Sequence, residues 1–421
     1  MVLFNLALKS LKNRAFATTL TVISIALSVA LLISVERAKR AAEEGFTQTV
    51  SKTDLIVGAR SGSLQLLLYT VFNMGTATNN VSWESYQEIK KNPAIEWTIP
   101  YSLGDAHKGF RVVGTTEDFF RHYHYRGSRN VELQAGHGLQ GLWDVVIGSD
   151  VARSLRHSIG DRIVISHGVT KGEGVVDHED KPFEVVGILA PTGTPLDRAV
   201  YISLEGMEAL HIDWQNGAMP TKATMIPAAQ IKKEDLKIHA ITSFFVGAKS
   251  RLDTLKLQRQ INDYKDEPLM AIIPGVALSE LWGGLSYAEN VLRIVSWMVV
   301  LVGFMAMLIA LTTTLNERRR EMAILRAVGA KSSHILGLLV FESALLTVLG
   351  IALGIVISVG AMAILKPWIE NEFGLYLSGP VMTHTEWLFI AITFVGGTVI
   401  GLIPALRAQK LALKDGLSVK L

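Results

Sequence analysis

Four stretches of roughly 20 apolar residues, each long enough as a helix to cross a hydrocarbon core about 30 Å thick, constrain this chain more than any other feature. They run over Ala15–Val35, Ile294–Leu315, Ser343–Leu365 and Trp387–Leu406, and none carries a charge at its centre. With 49% hydrophobic residues and a mean hydropathy of +0.32, the composition agrees. The expected class is therefore an α-helical membrane protein with four transmembrane helices. A cleaved signal peptide competes for the first stretch. The run is longer than a signal core, and the charged segment after it, Glu36–Val50, looks like a continuing helix rather than a cleavage site.

Basic residues fix the orientation, because Lys and Arg near a span are retained on the cytoplasmic side. Lys9, Lys12 and Arg14 precede the first span; Arg318, Arg319, Arg320, Arg326 and Lys331 lie between the second and third; Arg407, Lys410, Lys414 and Lys420 follow the fourth. The third connection has Lys366 alone, against Glu370, Glu372 and Glu386. Both termini are thus expected in the cytoplasm. The formal net charge of +3 gives no electrostatic footprint for nucleic acid. The small-residue pairs Gly350/Gly354 and Gly397/Gly401 suit close helix contact, either within the chain or with a second copy of it.

Between Glu36 and Asn290 the pattern changes to short β-rich runs and short amphipathic helices. Expected strands are Arg111–Gly114, Asp144–Ile147, Arg162–Ser166, Phe183–Leu189, Ala199–Ile202, Lys222–Ile226 and Ile238–Val246. Expected helices are Trp83–Lys91, Ser149–His157 with Ser149 or Asp150 as N-cap, and Arg251–Lys265. This gives a large α+β extracytoplasmic domain, expected as two small subdomains.

Nine of the eleven histidines fall in this insert. The tightest cluster, His122-Tyr123-His124, would put both imidazoles on one face of a strand, but no third ligand and no H-E-x-x-H pattern accompany it. No metal site is therefore assigned. The absence of cysteine excludes thiolate metal sites, disulfides and cysteine nucleophiles. The apolar run containing Leu64, Leu66, Leu67, Leu68, Tyr69 and Phe72 is too short to span a bilayer. It is a candidate contact for a substrate or periplasmic partner, with a buried core helix as the alternative.

Residues Asn316–His334 join a basic start to Met322, Leu325 and Val328 at helical spacing, with Gly329 placed to end that helix in a left-handed cap. Such a helix suits insertion into a groove on a cytoplasmic partner, or adsorption to anionic membrane lipid. Here the sequence resembles the ABC permeases of the MacB, FtsX and LolC type. The run Glu317-Arg318-Arg319-Arg320-Glu321-Met322-Ala323-Ile324-Leu325-Arg326-Ala327-Val328-Gly329-Ala330 looks like that family's E-R-x-x-E-I-x-x-L-x-A-x-G-A signature, and Pro404-Ala405-Leu406-Arg407-Ala408 resembles its P-A-x-x-A ending. The order of one span, a large insert and three further spans also matches.

The resemblance implies a map: a cytoplasmic amphipathic N-terminus (1–14), spans at 15–35, 294–315, 343–365 and 387–406, a MacB-like periplasmic domain with helical stalks (36–290), a coupling helix (316–334), a periplasmic loop (366–386) and a cytoplasmic tail (407–421). It implies ATPase coupling through Glu317, Arg318, Arg319, Glu321, Met322, Leu325, Arg326 and Gly329. It also implies a cytoplasmic ABC ATPase dimer that binds ATP and Mg, a homodimeric permease in the bacterial inner membrane, and a periplasmic protein or lipoprotein partner. The chain contains no G-x-x-x-x-G-K-[ST] phosphate loop and no G-x-S-x-G elbow, so it is expected to be non-catalytic with no cofactor of its own. Two roles compete: export or lipid and lipoprotein extraction driven by the ATPase, and FtsX-like regulation of a periplasmic enzyme without transport.

Overall fold

The computed structural model describes residues 15–47, 49–167, 176–214, 226–317, 324, 328–373 and 382–414. In chain order the elements are α1 (Ala15–Thr47), β1 (Leu55–Ala59), α2 (Ser63–Val71), β2 (Val81–Ser82), α3 (Trp83–Lys90), β3 (Ile95–His107), β4 (Phe110–Thr115), α4 (Asp118–His122), β5 (His124–Tyr125), β6 (Arg129–Asn130) and β7 (Leu133–Gly136). Next come β8 (Asp144–Ile147), α5 (Ser149–Leu155), β9 (Arg162–Ile163), β10 (Ser166–His167), β11 (Val176–Asp177), β12 (Phe183–Leu189), β13 (Ala199–Ser203) and α6 (Leu204–His211). The last are β14 (Ala240–Ile241), β15 (Ser243–Ala248), α7 (Arg251–Asn262), β16 (Leu269–Ile272), α8 (Pro274–Glu317), α9 (Ser332–Phe373) and α10 (His384–Lys414).

Among the described residues, four helices are long and apolar enough to cross a membrane: Ala15–Ala41, Pro274–Thr313, Ser332–Trp368 and His384–Arg407. They build one of two units into which the chain divides. Ile25, Val29, Ile33, Met307, Leu311, Leu346 and Ile351 form its buried seam, while Leu27, Val302, Met305, Ile309, Val356 and Val399 point outward, as lipid-facing positions require. Both G-x-x-x-G pairs are spent within the chain. A Cβ on Gly354 would lie 2.7 Å from the Ala26 carbonyl oxygen and one on Gly350 2.6 Å from Ile25 Cγ2, and Cβ atoms on Gly397 and Gly401 would overlap the side chains of Thr347 and Ser343.

The second unit holds the α+β domain. Its main sheet runs β16-β1-β15-β3-β4-β13-β8-β12-β7, with the β10–β11 hairpin attached to β3 and β9 attached to β12. The 13-residue β3 links the two halves of this sheet by serving two partners: Ile95–Tyr101 pair with β15 and Ser102–His107 with β4. Three buried clusters pack its faces, one around Ile99, Tyr101, Tyr201 and Phe245, one around Leu55, Val57, Phe244 and Val246, and one around Val145, Phe183 and Ile202.

Local chemistry explains several boundaries. Ser82, Ser203 and Ser250 cap α3, α6 and α7 through their side-chain oxygens. The expected cap of α5 at Ser149 or Asp150 is corrected to Gly148, whose backbone N–H donates to Ala199 and whose missing Cβ leaves room for the Asp197 carbonyl. Residues 222–225 of the strand expected at Lys222–Ile226 lie outside the described residues.

Candidate functional site

Most of the elbow between α8 and α9, singled out by its charge pattern, lies outside the described residues: Arg318, Arg319, Glu321, Met322, Leu325 and Arg326 are among those not described. Glu317 ends α8. Gly329 has a φ of +100°, the left-handed backbone that glycine adopts without a Cβ penalty, and the Val328 N–H donates to the Ile324 carbonyl. The Lys331 N–H then donates to His334 Nδ1 as α9 begins at Ser332.

The apolar run at Leu64–Phe72 is not a contact surface. It forms α2, in which Leu66, Leu67, Tyr69 and Phe72 are buried against the sheet around Ile56, Ile99 and Phe245, and Leu64 and Leu68 are half-buried. The close approach of β1 to α2 enforces this: a Cβ on Gly58 would lie 2.6 Å from Leu66 and 2.7 Å from the Tyr69 hydroxyl. Burial of this apolar face wins because it removes several large side chains from water at once.

Nor do His122 and His124 converge. His122 stacks on Trp97 at 5.4 Å between ring centroids, and His124 Nδ1 turns back to the His122 carbonyl at 2.7 Å. A different set of histidines does converge. Asp105 near the end of β3, His167 in β10, His178 just after β11 and His211 at the end of α6 place four ligand-capable atoms within 4.8 Å of one another. His167 Nδ1 is 3.0 Å from Asp105 Oδ1, His211 Nε2 is 3.3 Å from Asp105 Oδ2, His178 Nε2 is 3.8 Å from Asp105 Oδ2, and His167 Nδ1 is 3.3 Å from His211 Nε2. Trp214 packs on all three imidazoles, at centroid distances of 4.9, 5.4 and 5.7 Å.

The electrostatics divide the set. Burial pushes His178 below its ordinary value despite the nearby Asp105 carboxylate. Burial also opposes protonation of His211, but Asp105 and the Met207 carbonyl together outweigh it and raise that group. Sequence inspection missed this constellation because the four residues come from separate segments with no motif spacing. The crowding of histidines in the insert was the one signal available.

The match to known families follows the same division of the chain. Residues 18–264, more than half of it, match the MacB-like periplasmic core domain, and residues 293–415 match the FtsX-like permease C-terminal domain. The chain belongs to the MacB/FtsX family of ABC transporter permeases. It is thus a multi-pass membrane protein carrying a MacB-like domain between its first and second spans.

Among MacB relatives, the macrolide export ATP-binding/permease protein MacB of Brucella abortus is 31% identical over 112 residues, 27% of this chain and 16% of that protein. The protein of the same name from Nitrobacter winogradskyi is 34% identical over 116 residues, 27% of this chain and 16% of its own length. That from Chromobacterium violaceum is 29% identical over 127 residues, 30% of this chain and 19% of its own. The chain therefore spans less than a fifth of the length of these relatives in the matched region. The extracellular domain of the noncanonic ABC-type transporter YknZ from Gram-positive bacteria aligns over 46% of this chain and 89% of its own at 14% identity, with a TM-score of 0.29, a likeness too distant to add to the family assignment.

Proposed function

We propose that this chain is the permease subunit of a bacterial inner-membrane ABC system whose ATP and Mg²⁺ are bound by a separate cytoplasmic ATPase dimer. The observation that carries this is the elbow at 316–334: it lies within the FtsX-like match and concentrates five Lys and Arg residues between two spans. Arg318, Arg319 and Arg326 pair with carboxylates on the ATPase, and Met322 and Leu325 fill an apolar notch beside them. Force received there passes into α8 and α9, the helices that meet at the elbow. Two copies of the chain complete the membrane unit, with both termini in the cytoplasm.

The work done outside is the export or extraction of a lipid-linked or apolar cargo, or the mechanical driving of a periplasmic partner. The test co-purifies the chain with its ATPase in lipid nanodiscs and compares Arg319→Glu/Arg326→Glu with the unmodified protein. Loss of co-purification and of permease-stimulated ATP turnover, with membrane insertion intact, is expected. Unchanged turnover would remove the elbow from the coupling path. ATP hydrolysis that moves no lipid or lipoprotein, yet activates a periplasmic enzyme, would replace transport with regulation.

A further inference from the structure

We infer that Asp105, His167, His178 and His211 form a Zn²⁺ site that fastens the β10–β11 hairpin to β3 and α6. The inference stands on the geometry of the α+β domain and does not rest on the permease assignment.

A four-coordinate zinc ion with bonds of about 2.0–2.1 Å places its ligand atoms about 3.3 Å apart along the edges of a tetrahedron. Taking Asp105 Oδ2 as the carboxylate ligand, His211 Nε2 lies 3.3 Å and His178 Nε2 3.8 Å from it, and His167 Nδ1 lies 3.3 Å from His211 Nε2; these separations lie near that edge, and the four residues' ligand atoms all fall within 4.8 Å of one another. Two of the four ligand atoms are buried and unsatisfied among the described residues. His178 is 3% exposed and its Nε2 makes no hydrogen bond; Asp105 is 5% exposed and its Oδ2, though near His211, lacks the alignment a hydrogen bond requires. Buried polar atoms are ordinarily paired, and a cation at their common centre satisfies both.

The surroundings prepare the ligands. His211 Nδ1 faces the Met207 carbonyl at 3.3 Å, so the proton resides on that nitrogen and Nε2 presents its lone pair inward. Trp214 shields one side of the group, while His167 and His211 keep side-chain exposures of 48% and 31%, which leaves a path from solvent.

The donor set selects the ion. Three imidazoles and one carboxylate suit zinc, whereas calcium and magnesium take six or more oxygen donors and copper(II) favours a square arrangement. Four protein ligands close the coordination sphere, so the ion is a clip and not a centre that activates water. The clip has something to hold: among the described residues, the hairpin's ladder pairing with β3 is at Ser166 opposite Ala106.

The test uses the full-length chain in detergent, free of any histidine tag and stripped of metal. Calorimetric titration with Zn²⁺ should show saturable binding and raise the melting temperature, and Co²⁺ in its place should give the intense visible bands of a tetrahedral centre. His178→Ala and His211→Gln should weaken binding by more than the roughly 10–100-fold that loss of an outer-shell partner costs. His122→Ala and His124→Ala should leave it unchanged. Absence of saturable binding, a six-coordinate Co²⁺ spectrum, or binding that survives in both cluster variants would overturn the site. The Co²⁺ spectrum of the unmodified chain decides the matter even where a variant fails to fold.

Discussion

Lys181 Nζ lies 2.6 Å from Asp213 Oδ1, with both side chains fully buried. Lys181 follows His178 by three residues and Asp213 follows His211 by two, so the ion pair joins the same two segments that the histidine cluster brings together. Asp213 Oδ2 also accepts the Ile226 N–H, and Lys181 reaches the Leu210 carbonyl at 3.4 Å. Removing Lys181 leaves the buried Asp213 carboxylate without its counter-charge, and Asp180, whose Oδ2 lies 3.2 Å from the same ammonium, loses its partner as well, which together cost about 3–5 kcal/mol. Lys181→Met should therefore lower the stability of the domain by that order, read by thermal melting. Lys181→Met/Asp213→Leu should recover much of the loss, since an apolar pair avoids the desolvation penalty.

Two buried carboxylates predict opposite responses to acid. Burial works against ionisation of Asp213, but the hydrogen bond and charge of Lys181 outweigh it and hold the group below its ordinary value of 3.8. The unfolded chain then binds the proton first, so this contribution is present above that value and is lost as the pH falls through it to the lower folded one. Asp197 shifts the other way. Burial raises it above 3.8 in spite of hydrogen bonds from Thr192 and Gly193. The native state keeps this proton longer, so its contribution is full below 3.8 and declines as the pH rises through the folded value. In melts across this range, Asp197→Asn should abolish the decline, and Asp213→Asn should flatten the acid-side loss.

Much of this architecture was legible where a single segment carries its own signal. The β-branched residues of β8 and β12, Val145–Ile147 and Val185, Val186 and Ile188, gave strands at Asp144–Ile147 and Phe183–Leu189 with their observed limits, despite Glu184 within the second. β3 was not legible, because Pro100, Gly104 and Asp105 read as breakers. Pro100 is tolerated one residue before the end of the stretch paired with β15, where a missing N–H costs little, and its carbonyl still accepts from the Thr115 hydroxyl. The histidine cluster was illegible for a related reason. It exists only once a parallel pairing of β4 with β13 and the antiparallel return of β10 onto β3 bring distant segments together.

The α2 helix gives a direct check on core against surface. Leu67 has no exposed area and packs among the aromatic side chains of the largest buried cluster. Leu67→Ala should cost about 2–5 kcal/mol through lost burial and the cavity left behind. Thermal melting and limited proteolysis of the α+β domain should register it. Gln65→Ala on the exposed face of the same helix should change stability by less than about 0.5 kcal/mol.

At the start of α10, the Thr383 N–H donates to Glu386 Oε2 at 2.9 Å while the Glu386 N–H donates to Thr383 Oγ1 at 3.3 Å, a reciprocal capping box. The other oxygen of Glu386 accepts from Arg37 Nε at 3.0 Å, and both residues are buried. One carboxylate thus closes a helix end and ties α1 to α10. Glu386→Ala should lose about 3–5 kcal/mol because Arg37 is left without its counter-charge. Glu386→Gln, which keeps an acceptor oxygen, should lose less; the ordering is measurable as resistance to thermal aggregation in detergent.

The glycines of the spans are spaced for dimer contact as well as for internal packing. Gly397 and Gly401 meet Thr347 and Ser343 of α9, and Thr347 itself is fully buried. A methyl group at either glycine must displace a neighbouring helix that is already close-packed, at a cost of about 1–3 kcal/mol. Gly360, by contrast, has nothing within 4 Å of a would-be Cβ. Gly401→Ala should therefore lower the detergent melting temperature of the monomeric chain, and Gly360→Ala should not. Were Gly401→Ala instead to shift the monomer–dimer balance with the monomer's own melting unchanged, the α9–α10 contact would belong between copies and not within one.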